Sequence, residues 1–361
     1  MFEQKLNFSF DATQRILKHI AQIDQFKGKW EILEQKDNIY LRELRRIATI
    51  QSVGSSTRIE GSVMTDEEIR QLFNDVKITT FETRDEQEVA GYWDVLQLIH
   101  DEMQNVQFSE NMLKQFHSLL LKYSDRDTRH RGEYKTLPNT VTARYPDGTT
   151  RIIFDPTPPW QVKMEMERLV TWTQETFAAH QIHPLLIIGL FVYEFLSIHP
   201  FQDGNGRLSR LLTTMLLMQH EYHFVQYISF EHIIEDRKKR YYEVLMECQH
   251  RRSAESAERI DVWMEFFLEC LIILIQRLEH KYAHYQRNGM YLNPRQRRVL
   301  AVIEKSQPVK MMDIHALISD VPINTLKKDV KYLVEHSRVE KIGNRRGTIY
   351  LLPDAPTQKT I

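Results

Sequence analysis

Glycine, proline and cysteine are all scarce in this chain. Its 361 residues include 12 glycines and 12 prolines, below the average combined share of about 12%, which argues for a mostly helical protein with few long loops. The two cysteines, Cys248 and Cys270, are too few for a disulfide framework or a cysteine-rich zinc site. They fit a reducing compartment, and we expect a cytoplasmic protein.

An excess of charge and a long apolar run are also missing. With 48 Lys and Arg against 49 Asp and Glu, the net charge is -1. This excludes a globally basic nucleic-acid binder but not a local basic patch. The most apolar stretch, Leu185 to Ile198, has about 14 residues and contains Glu194, whereas a membrane span needs about 20. We predict a buried core helix and no membrane association, and we see no apolar segment of a signal peptide.

Amphipathic helix patterns dominate the first part of the chain. Two capping boxes, Thr65 to Glu68 and Thr83 to Glu86, mark helix starts. An apolar face at helical spacing follows the first box and consists of Ile69, Leu72, Phe73 and Val76. We predict an N-terminal helical region over residues 1–107, a central core over 108–285 and a C-terminal domain over 290–361.

A different pattern interrupts the helices near residue 145. Val141 to Tyr145 and Thr150 to Phe154 are rich in β-prone side chains, and Pro146-Asp147-Gly148 between them is a turn signal. This pattern predicts a β-hairpin. Prolines at 156, 158 and 159 then end the second strand, and a helix is predicted over Val162 to Trp172.

The segment from His199 to Arg210, HPFQDGNGRLSR, is the part of the sequence best suited to chemistry. It follows the predicted core helix and leads into a new helical pattern, where free backbone N–H groups and the helix dipole favour anions. Arg207 and Arg210 suit phosphate oxygens. Asp203 suits Mg²⁺, and His199 suits a general base. The combination favours phosphoryl or nucleotidyl transfer, and the alternative is a glycine-rich turn with a salt-bridged aspartate and a core histidine.

This segment resembles the signature of Fic-domain proteins, HPFx(D/E)GNGR, followed by the family's second arginine at Arg210. The resemblance covers roughly Phe108 to Ile275, and it departs from the family pattern at Lys135, where members usually have arginine. It implies a mainly α fold, with a helical core and a β-hairpin flap. It also implies AMPylation, in which AMP moves from ATP to a Ser, Thr or Tyr hydroxyl of a target protein and pyrophosphate is released.

The resemblance implies catalytic roles for five residues. His199 would deprotonate the target hydroxyl, and Asp203 would hold Mg²⁺ on the α- and β-phosphates. Asn205 would contact the α-phosphate, Arg207 the β-phosphate and Arg210 the γ-phosphate of ATP.

Further residues would bind the nucleotide or shape its site. Gly204 and Gly206 would cradle phosphates beside Asn205, and Phe201 would anchor the loop in the core. Tyr241 and Tyr242 are candidates for the adenine site. They follow a charged run, residues 235–240, that we predict to be a solvent-exposed face.

An upstream segment, Ser56 to Gly61, resembles the inhibitory motif of class II Fic proteins, (S/T)xxxE(G/N). Ser56 and Glu60 share a helix face, and Gly61 fits the position that ends a helix. The helix dipole disfavours a carboxylate in the last turn, and the resemblance supplies a cationic partner, Arg210. Bound to Glu60, Arg210 could not hold the γ-phosphate. The alternative is a solvent-exposed glutamate at a helix end.

The C-terminal region is basic: residues 291–353 contain 12 Lys or Arg and 6 Asp or Glu, a net charge of +6. Helices are predicted over Arg295 to Glu304, Met311 to Ile318 and Asn324 to His336, followed by two β-prone runs around Arg345 and Arg346. This order resembles a winged helix-turn-helix and would allow DNA binding through the third helix and the two arginines. The alternative is a protein-interaction or dimerisation module.

These features together predict an autoinhibited protein adenylyltransferase with ATP as co-substrate and Mg²⁺ as its metal. The hairpin from Val141 to Ile153 would pair with an extended target segment. The resemblance makes self-modification and a homodimer plausible. Three alternatives stay open: removal of AMP at the same site with Glu60, a DNA-binding regulator that senses nucleotide, and transfer of another group such as UMP or phosphocholine.

Overall fold

The computed structural model describes residues 2–34, 38–74, 81–102, 105–144, 150–252, 260–288, 292–335, 338–343 and 347–353. These residues form fourteen α-helices and four short strands, so the predicted mainly α fold is confirmed. Contacts between Cα atoms divide the chain into two compact units, Met1–His280 and Lys281–Ile361. No helix in the described ranges is long and apolar enough to cross a membrane.

The first unit consists of helices with one hairpin among them. Its elements are α1 (Phe10–Glu34), α2 (Asn38–Ile59), α3 (Asp66–Asn74), α4 (Arg84–Glu102), α5 (Glu110–Leu120), β1 (Val141–Arg144), β2 (Thr150–Phe154), α6 (Pro159–Ala179), α7 (Pro184–Ile198), α8 (Asn205–Gln219), α9 (Phe230–Asp236), α10 (Lys238–Arg252) and most of α11 (Asp261–Asn288), which continues past His280. Short 3₁₀ helices lie at Glu3–Leu6 and His223–Tyr227.

Helix α7 is the buried core helix predicted from the apolar run. It is apolar on all sides, and it packs against α6 and α8. Because α7 ends at Ile198 and α8 begins at Asn205, the loop between them is fixed at both ends by the core.

Helix α2 brings the upstream segment to the same place. It packs against α4, α9, the second 3₁₀ helix and α8. The small polar side chains near its end, Ser55, Ser56 and Thr57, are buried, which lets neighbouring helices approach closely. The Ser56 to Gly61 segment therefore ends beside the start of α8.

The predicted hairpin strands form an antiparallel pair, with Val141 opposite Phe154 and Thr142 opposite Ile152. The predicted turn, Pro146-Asp147-Gly148, lies outside the described residues. Helix α6 begins at Pro159, three residues before the predicted start, because proline is tolerated in the first helical turn, where its missing N–H costs no hydrogen bond.

The second unit has its own small core. Helices α12 (Pro294–Ser306), α13 (Met311–Leu317) and α14 (Ile323–Glu335) precede an antiparallel pair of strands, β3 (Glu340–Ile342) and β4 (Ile349–Leu351). Its buried apolar side chains include Val299, Ile303, Ile314, Leu326, Val330 and Leu333. Lys327, Lys328 and Lys331 of α14 are exposed, as predicted. Arg345 and Arg346 lie outside the described residues.

Candidate active site

The loop after α7 begins with His199 in a left-handed conformation, φ 51° and ψ 60°. This region is costly for a residue with a side chain, by about 1–3 kcal/mol, and such strain is common at active sites. The Nδ1–H of His199 donates to the Leu196 carbonyl oxygen at 3.3 Å, which leaves the Nε2 lone pair for a proton. Desolvation, together with the charge of Lys135, lowers the pKa of His199 to about 4. The imidazole is therefore neutral at pH 7 and ready to act as a base.

Asn205 fastens the two ends of this loop together. Its Oδ1 accepts a hydrogen bond from the Phe201 N–H at 2.9 Å, and its Nδ2 donates to the Phe201 carbonyl at 2.8 Å. Phe201 is fully buried and stacks on the ring of His117, with centroids 3.8 Å apart. The Asn205 side-chain amide thus stabilises the loop. Its second Nδ2 hydrogen and the backbone N–H of Asn205 remain as donors for a phosphate.

His117, which the sequence analysis did not single out, supports the loop from α5. The Gly132 N–H donates to its Nδ1 at 2.9 Å, and its Nε2 lies 3.0 Å from the Asp203 carbonyl oxygen. Burial lowers the pKa of His117 to about 4. A neutral ring with hydrogen on Nε2 satisfies both contacts, so His117 is a structural histidine of this site.

The start of α8 has the geometry of an anion site. Gly204 has φ 77°, a left-handed conformation that suits glycine and lets the chain turn sharply into the helix. The first N–H groups of a helix have no intrahelical acceptor, and they lie at the positive end of the helix dipole. A Cβ added at Gly206 would collide with the Glu60 carboxylate. The carboxylate of Glu60, the residue that follows α2, therefore occupies the mouth of this anion site.

Asp203 lies at the edge of the same helix start. Its Oδ1 accepts from the Gly204 N–H at 2.6 Å and from Arg207 Nη2 at 3.2 Å, while its Oδ2 lies 3.7 Å from Arg84 Nη2. Burial works to raise the pKa of the Asp203 carboxyl, but Arg207 and the Gly204 N–H outweigh it and hold the pKa below its usual value. The carboxylate is therefore ionised.

Arg207 belongs to a closed ring of four alternating charges. It is buried, with Nη1 3.3 Å from Glu88 Oε2 and Nη2 3.2 Å from Asp203 Oδ1. Glu88 also accepts from Arg84 Nε at 2.7 Å, and Arg84 approaches Asp203. Arg207 Nε has no hydrogen-bonding partner among the described residues. A buried, unpaired donor beside an anion site indicates that Arg207 is prepared for a ligand.

Arg210 is held by the Ser56 to Gly61 segment. Its Nη2 lies 2.7 Å from Glu60 Oε1, its Nε donates to Ser56 Oγ at 2.8 Å, and Nη2 also donates to the Ser56 carbonyl at 2.9 Å. Burial opposes the charge of Arg210, but Glu60 outweighs it and raises the pKa of the guanidinium. The predicted pairing of Glu60 with Arg210 is present in the structure.

The end of α2 has the form expected from Gly61. Gly61 has φ 112°, and its N–H donates to the Arg58 carbonyl at 3.1 Å, while the Ser62 N–H donates to the Thr57 carbonyl at 3.1 Å. These two bonds form a Schellman motif, which ends a helix and satisfies its last carbonyls. The motif fixes where Glu60 leaves the helix.

The charged run over residues 235–240 was wrongly predicted to be entirely a solvent-exposed face. Glu235 accepts two hydrogen bonds from Arg58, at 2.7 Å and 3.1 Å. Lys238 Nζ donates to the Ile59 carbonyl oxygen at 2.7 Å. Only part of the run, including Lys239, faces solvent. Glu235 and Lys238 therefore hold the end of α2, whereas Lys239 faces solvent.

The loop and the start of α8, Glu60 just after α2, the hairpin and α10 line a cavity of about 270 Å³. Among the side chains and backbone on its wall are Glu60, Thr140, Val141, His199, Asp203, Gly204, Asn205, Gly206, Arg207, Tyr241 and Tyr242. Phe201 and Arg210, which the sequence analysis placed among the nucleotide-binding residues, are not on this wall. Phe201 anchors the loop from below, and Arg210 is buried against Glu60.

Tyr241 and Tyr242 differ in their surroundings. Tyr241 is buried and packs near Trp263 and Phe266, with ring centroids 6.1 Å and 6.2 Å away, and burial raises its pKa to about 12. Tyr242 is half-buried. Both reach the cavity, so the predicted pair lies at the site.

Comparison with known proteins agrees with this geometry. Residues 107–217 match the family model of the Fic/DOC family. The chain is 26% identical over 207 residues to the protein adenylyltransferase Fic of Drosophila willistoni, covering 57% of this chain and 39% of the relative. The corresponding protein of Drosophila melanogaster is 27% identical over 189 residues, covering 52% of this chain and 36% of the relative.

Solved structures share the fold. A Fic family protein from Desulfovibrio desulfuricans superimposes with a TM-score of 0.65 at 22% identity, covering 94% of this chain and 96% of that one. A Fic domain containing signaling protein from Bacteroides thetaiotaomicron gives a TM-score of 0.58 at 23% identity, covering 71% and 94%.

Residues 107–217 therefore form a Fic domain, and they include the loop described above up to and beyond Arg210. The chain spans about two fifths of the length of the curated relatives that it matches.

Proposed function

We propose that this chain is an autoinhibited protein adenylyltransferase, which moves AMP from ATP to a Ser, Thr or Tyr hydroxyl of a target protein. One observation carries the proposal: the Glu60 carboxylate of α2 is paired with Arg210 at 2.7 Å, in the mouth of the anion site at the start of α8. Without this contact, Arg210 would be available to bind a phosphate of the substrate. The curated relatives named as protein adenylyltransferases support the choice of reaction.

The chemistry needs a base beside a phosphate site, and His199 fits this role. Its Nε2 accepts the proton of the target hydroxyl, whose oxygen then forms a bond to the α-phosphorus. The bond from that phosphorus to the bridging oxygen breaks, and pyrophosphate leaves with the bonding electrons. A base with a depressed pKa is present in its proton-accepting form at neutral pH.

The triphosphate would lie along the start of α8. The backbone N–H groups at Gly204 to Gly206 would take one phosphate, Arg207 a second and Arg210 the third. The unpaired Arg207 Nε supports this placement, and so does Arg210 Nη1, which is buried without a hydrogen-bonding partner in the described part of the chain.

The donor set also fits Mg²⁺. Asp203 is ionised, lies on the cavity wall and has one oxygen, Oδ2, that is 3.7 Å from Arg84 Nη2. One carboxylate together with nucleotide phosphates is a usual environment for this ion. Bound there, Mg²⁺ would neutralise charge that develops on the phosphates.

Glu60 acts as a brake in this proposal. While it holds Arg210, the third phosphate has no arginine, and the carboxylate repels that phosphate from the mouth of the anion site. Loss of the Glu60 side chain frees both the arginine and the space above Gly206.

The target segment would bind along the hairpin. Thr140, Val141 and Thr142 line the cavity, and β1 is paired with β2 on one side. An extended segment added to the other edge of β1 would bring its hydroxyl towards His199. A segment from a second copy of the chain would serve equally, so self-modification and a homodimer, which the family resemblance implies, form part of the proposal.

Intact-mass spectrometry after incubation with ATP and Mg²⁺ tests the proposal. We would compare wild type, Glu60→Gly, Glu60→Gly with His199→Ala, and the matched control Glu67→Gly, which removes an exposed glutamate from α3. An adenylyl adduct on the chain or on an added target that rises in Glu60→Gly and vanishes in the double variant is expected. No gain of adduct and no ATP consumption in Glu60→Gly would contradict it. An AMP-removing activity that Glu60→Gly abolishes would favour hydrolysis instead.

The second unit adds a proposal about partners. Lys327, Lys328 and Lys331 present an exposed basic face on α14, and helices followed by a strand pair suit a winged helix-turn-helix that binds DNA. A salt-dependent shift of a duplex DNA in a gel would support this interface. We further propose a cytoplasmic location.

A further inference from the structure

Lys135 holds the backbone on both sides of His199. Its N–H donates to the Pro200 carbonyl oxygen at 2.8 Å, and its Nζ donates to the Ile198 carbonyl oxygen at 3.3 Å. These are the carbonyls immediately after and immediately before the histidine. Lys135 therefore holds the peptide group that precedes His199 and the one that follows Pro200, on either side of the left-handed histidine.

The amino group of Lys135 is buried and donates to protein acceptors. The residue is 3% exposed, and Nζ also donates to Asn139 Oδ1 at 2.7 Å. Burial lowers the pKa of Lys135 to about 8. Burying the charged amino group of a lysine costs free energy even when it donates to a backbone carbonyl and a side-chain amide. An apolar side chain would fill the same space without this cost.

Asn139 extends the contact to the hairpin. Its Nδ2 donates to the Phe201 carbonyl oxygen at 3.1 Å, and it lies two residues before β1. Lys135 and Asn139 together thus bind three carbonyls of the loop, those of Ile198, Pro200 and Phe201. The segment that precedes the flap and the loop that carries the base are one connected unit.

We infer that Lys135 is a positioning residue for His199: it fixes the backbone of the base relative to the flap, so that the imidazole faces a hydroxyl presented along β1. This inference rests on the proposed function. It predicts that Lys135 acts on the chemical step and not on nucleotide binding, because its contacts are with the His199 end of the loop. The phosphate site is built from the start of α8, which Lys135 does not contact through any of these hydrogen bonds.

Steady-state kinetics in the Glu60→Gly chain would test this role. We would compare Lys135→Met, Lys135→Arg and Asn139→Ala with the control Lys163→Met, which alters an exposed lysine on α6. For Lys135→Met we expect kcat to fall about 100-fold, since a displacement of about 1 Å can cost that much, while the Kd of ATP stays within twofold. Lys135→Arg keeps the donors and should recover most of kcat, and Asn139→Ala should lower it about tenfold.

A crystal structure of the Lys135→Met chain provides a readout that does not depend on activity. We expect His199 to leave the left-handed region and its ring to shift by about 1 Å or more. An unmoved His199, a kcat within threefold of the parent, or a loss of kcat matched by an equal loss of ATP affinity would each overturn the inference. Should Lys135→Met fail to fold, Asn139→Ala decides: a kcat within threefold of the parent together with an unmoved His199 would overturn the inference. If the Glu60→Gly parent transfers no AMP while His199 moves in the crystal, the proposed reaction fails and the positioning role stands.

Discussion

Lys238 Nζ donates a 2.7 Å hydrogen bond to the carbonyl oxygen of Ile59, the last residue of α2. The next residue is Glu60, whose carboxylate is paired with Arg210. Lys238 begins α10, the helix that carries Tyr241 to the cavity wall one turn later. The end of α2, next to the Glu60–Arg210 pair, and one wall of the cavity are therefore held by the same helix.

Removing the amino group of Lys238 should weaken the brake. A charged hydrogen bond of this kind contributes about 1 kcal/mol or more, which corresponds to roughly fivefold more of the released form. We expect Lys238→Met to raise AMP transfer about fivefold over wild type, short of the rise in Glu60→Gly. Incorporation of radiolabelled AMP measures this, with the adjacent and exposed Lys239→Met as control. Equal rates in the two variants would show that the contact does not hold the brake.

Glu88 should be needed to keep Arg207 in place. It is buried between two arginines, and Glu88→Gln removes a charge that balances the buried guanidinium. Breaking a buried pair costs several kcal/mol when the other charge stays buried, and a glutamine recovers part of this. We expect the melting temperature to fall by about 3–6 °C and the Kd of ATP to rise about fivefold in the Glu60→Gly background.

Scanning calorimetry and isothermal titration with ATP check both values for Glu88→Gln. Glu167→Gln, which alters an exposed residue on α6, is the matched control. A Glu88→Gln chain with unchanged stability and unchanged ATP affinity would mean that Asp203 alone orients Arg207.

The rate of AMP transfer should not fall between pH 7.5 and pH 6, as it would if an ordinary histidine became protonated in this range. Desolvation and Lys135 lower the pKa of His199 to about 4, while the carboxylates of Glu60 and Asp203 work to raise it. A lowered pKa keeps the base unprotonated as the pH falls, and the Glu60→Gly change removes one of the opposing charges. We expect the rate in Glu60→Gly at pH 6 to lie within twofold of the rate at pH 7.5. A histidine with a pKa of about 6.5 would be mostly protonated at pH 6, so a fourfold fall would contradict this assignment.

The second unit should be destabilised by loss of one partly buried ion pair. Arg295 binds Asp329 through two hydrogen bonds, at 2.5 Å and 3.0 Å, and the Asp329 side chain is 4% exposed. We expect Asp329→Ala to cost about 1–3 kcal/mol and to speed hydrogen exchange in α12 and α14, with AMP transfer unchanged. Asp320→Ala, which breaks the exposed pair with Arg298, should cost less than about 1 kcal/mol. Similar exchange in both variants would show that burial of Asp329 adds nothing.

The residues of the candidate active-site loop could be predicted because they are contiguous. His199 to Arg210 runs from the end of α7 into the first turns of α8, and the apolar patterns of both helices are clear in the sequence, so the segment could be placed at a helix start. Both capping boxes are also confirmed: the Glu68 and Glu86 N–H groups donate to Thr65 and Thr83 at 3.3 Å and 3.2 Å. Local hydrogen bonds of this kind depend only on nearby residues.

Contacts between distant helices could not be predicted in the same way. The pairing of Glu60 with Arg210 came from the family resemblance, since 150 residues separate them. Lys238 gives no signal in the sequence, because its acceptor is a backbone carbonyl and a charged run usually faces water. Glu88 lies four residues after Arg84, which indicates an ordinary helix-surface pair. Its second partner, Arg207, becomes visible only when α4 and α8 are packed together.

The absence of a side chain at Gly206 serves both the inhibited and the active state of the proposed enzyme. The space beside it holds the Glu60 carboxylate at rest and would hold substrate phosphate during turnover, and a methyl group there would meet both Glu60 and Arg210. A larger residue would therefore weaken the contact between Glu60 and Arg210 and would also hinder the binding of substrate phosphate. Arg58 and Lys238 lie off the cavity wall. Under the proposed function, the strength of the inhibition can therefore be altered at these two anchors without changing any residue that lines the cavity.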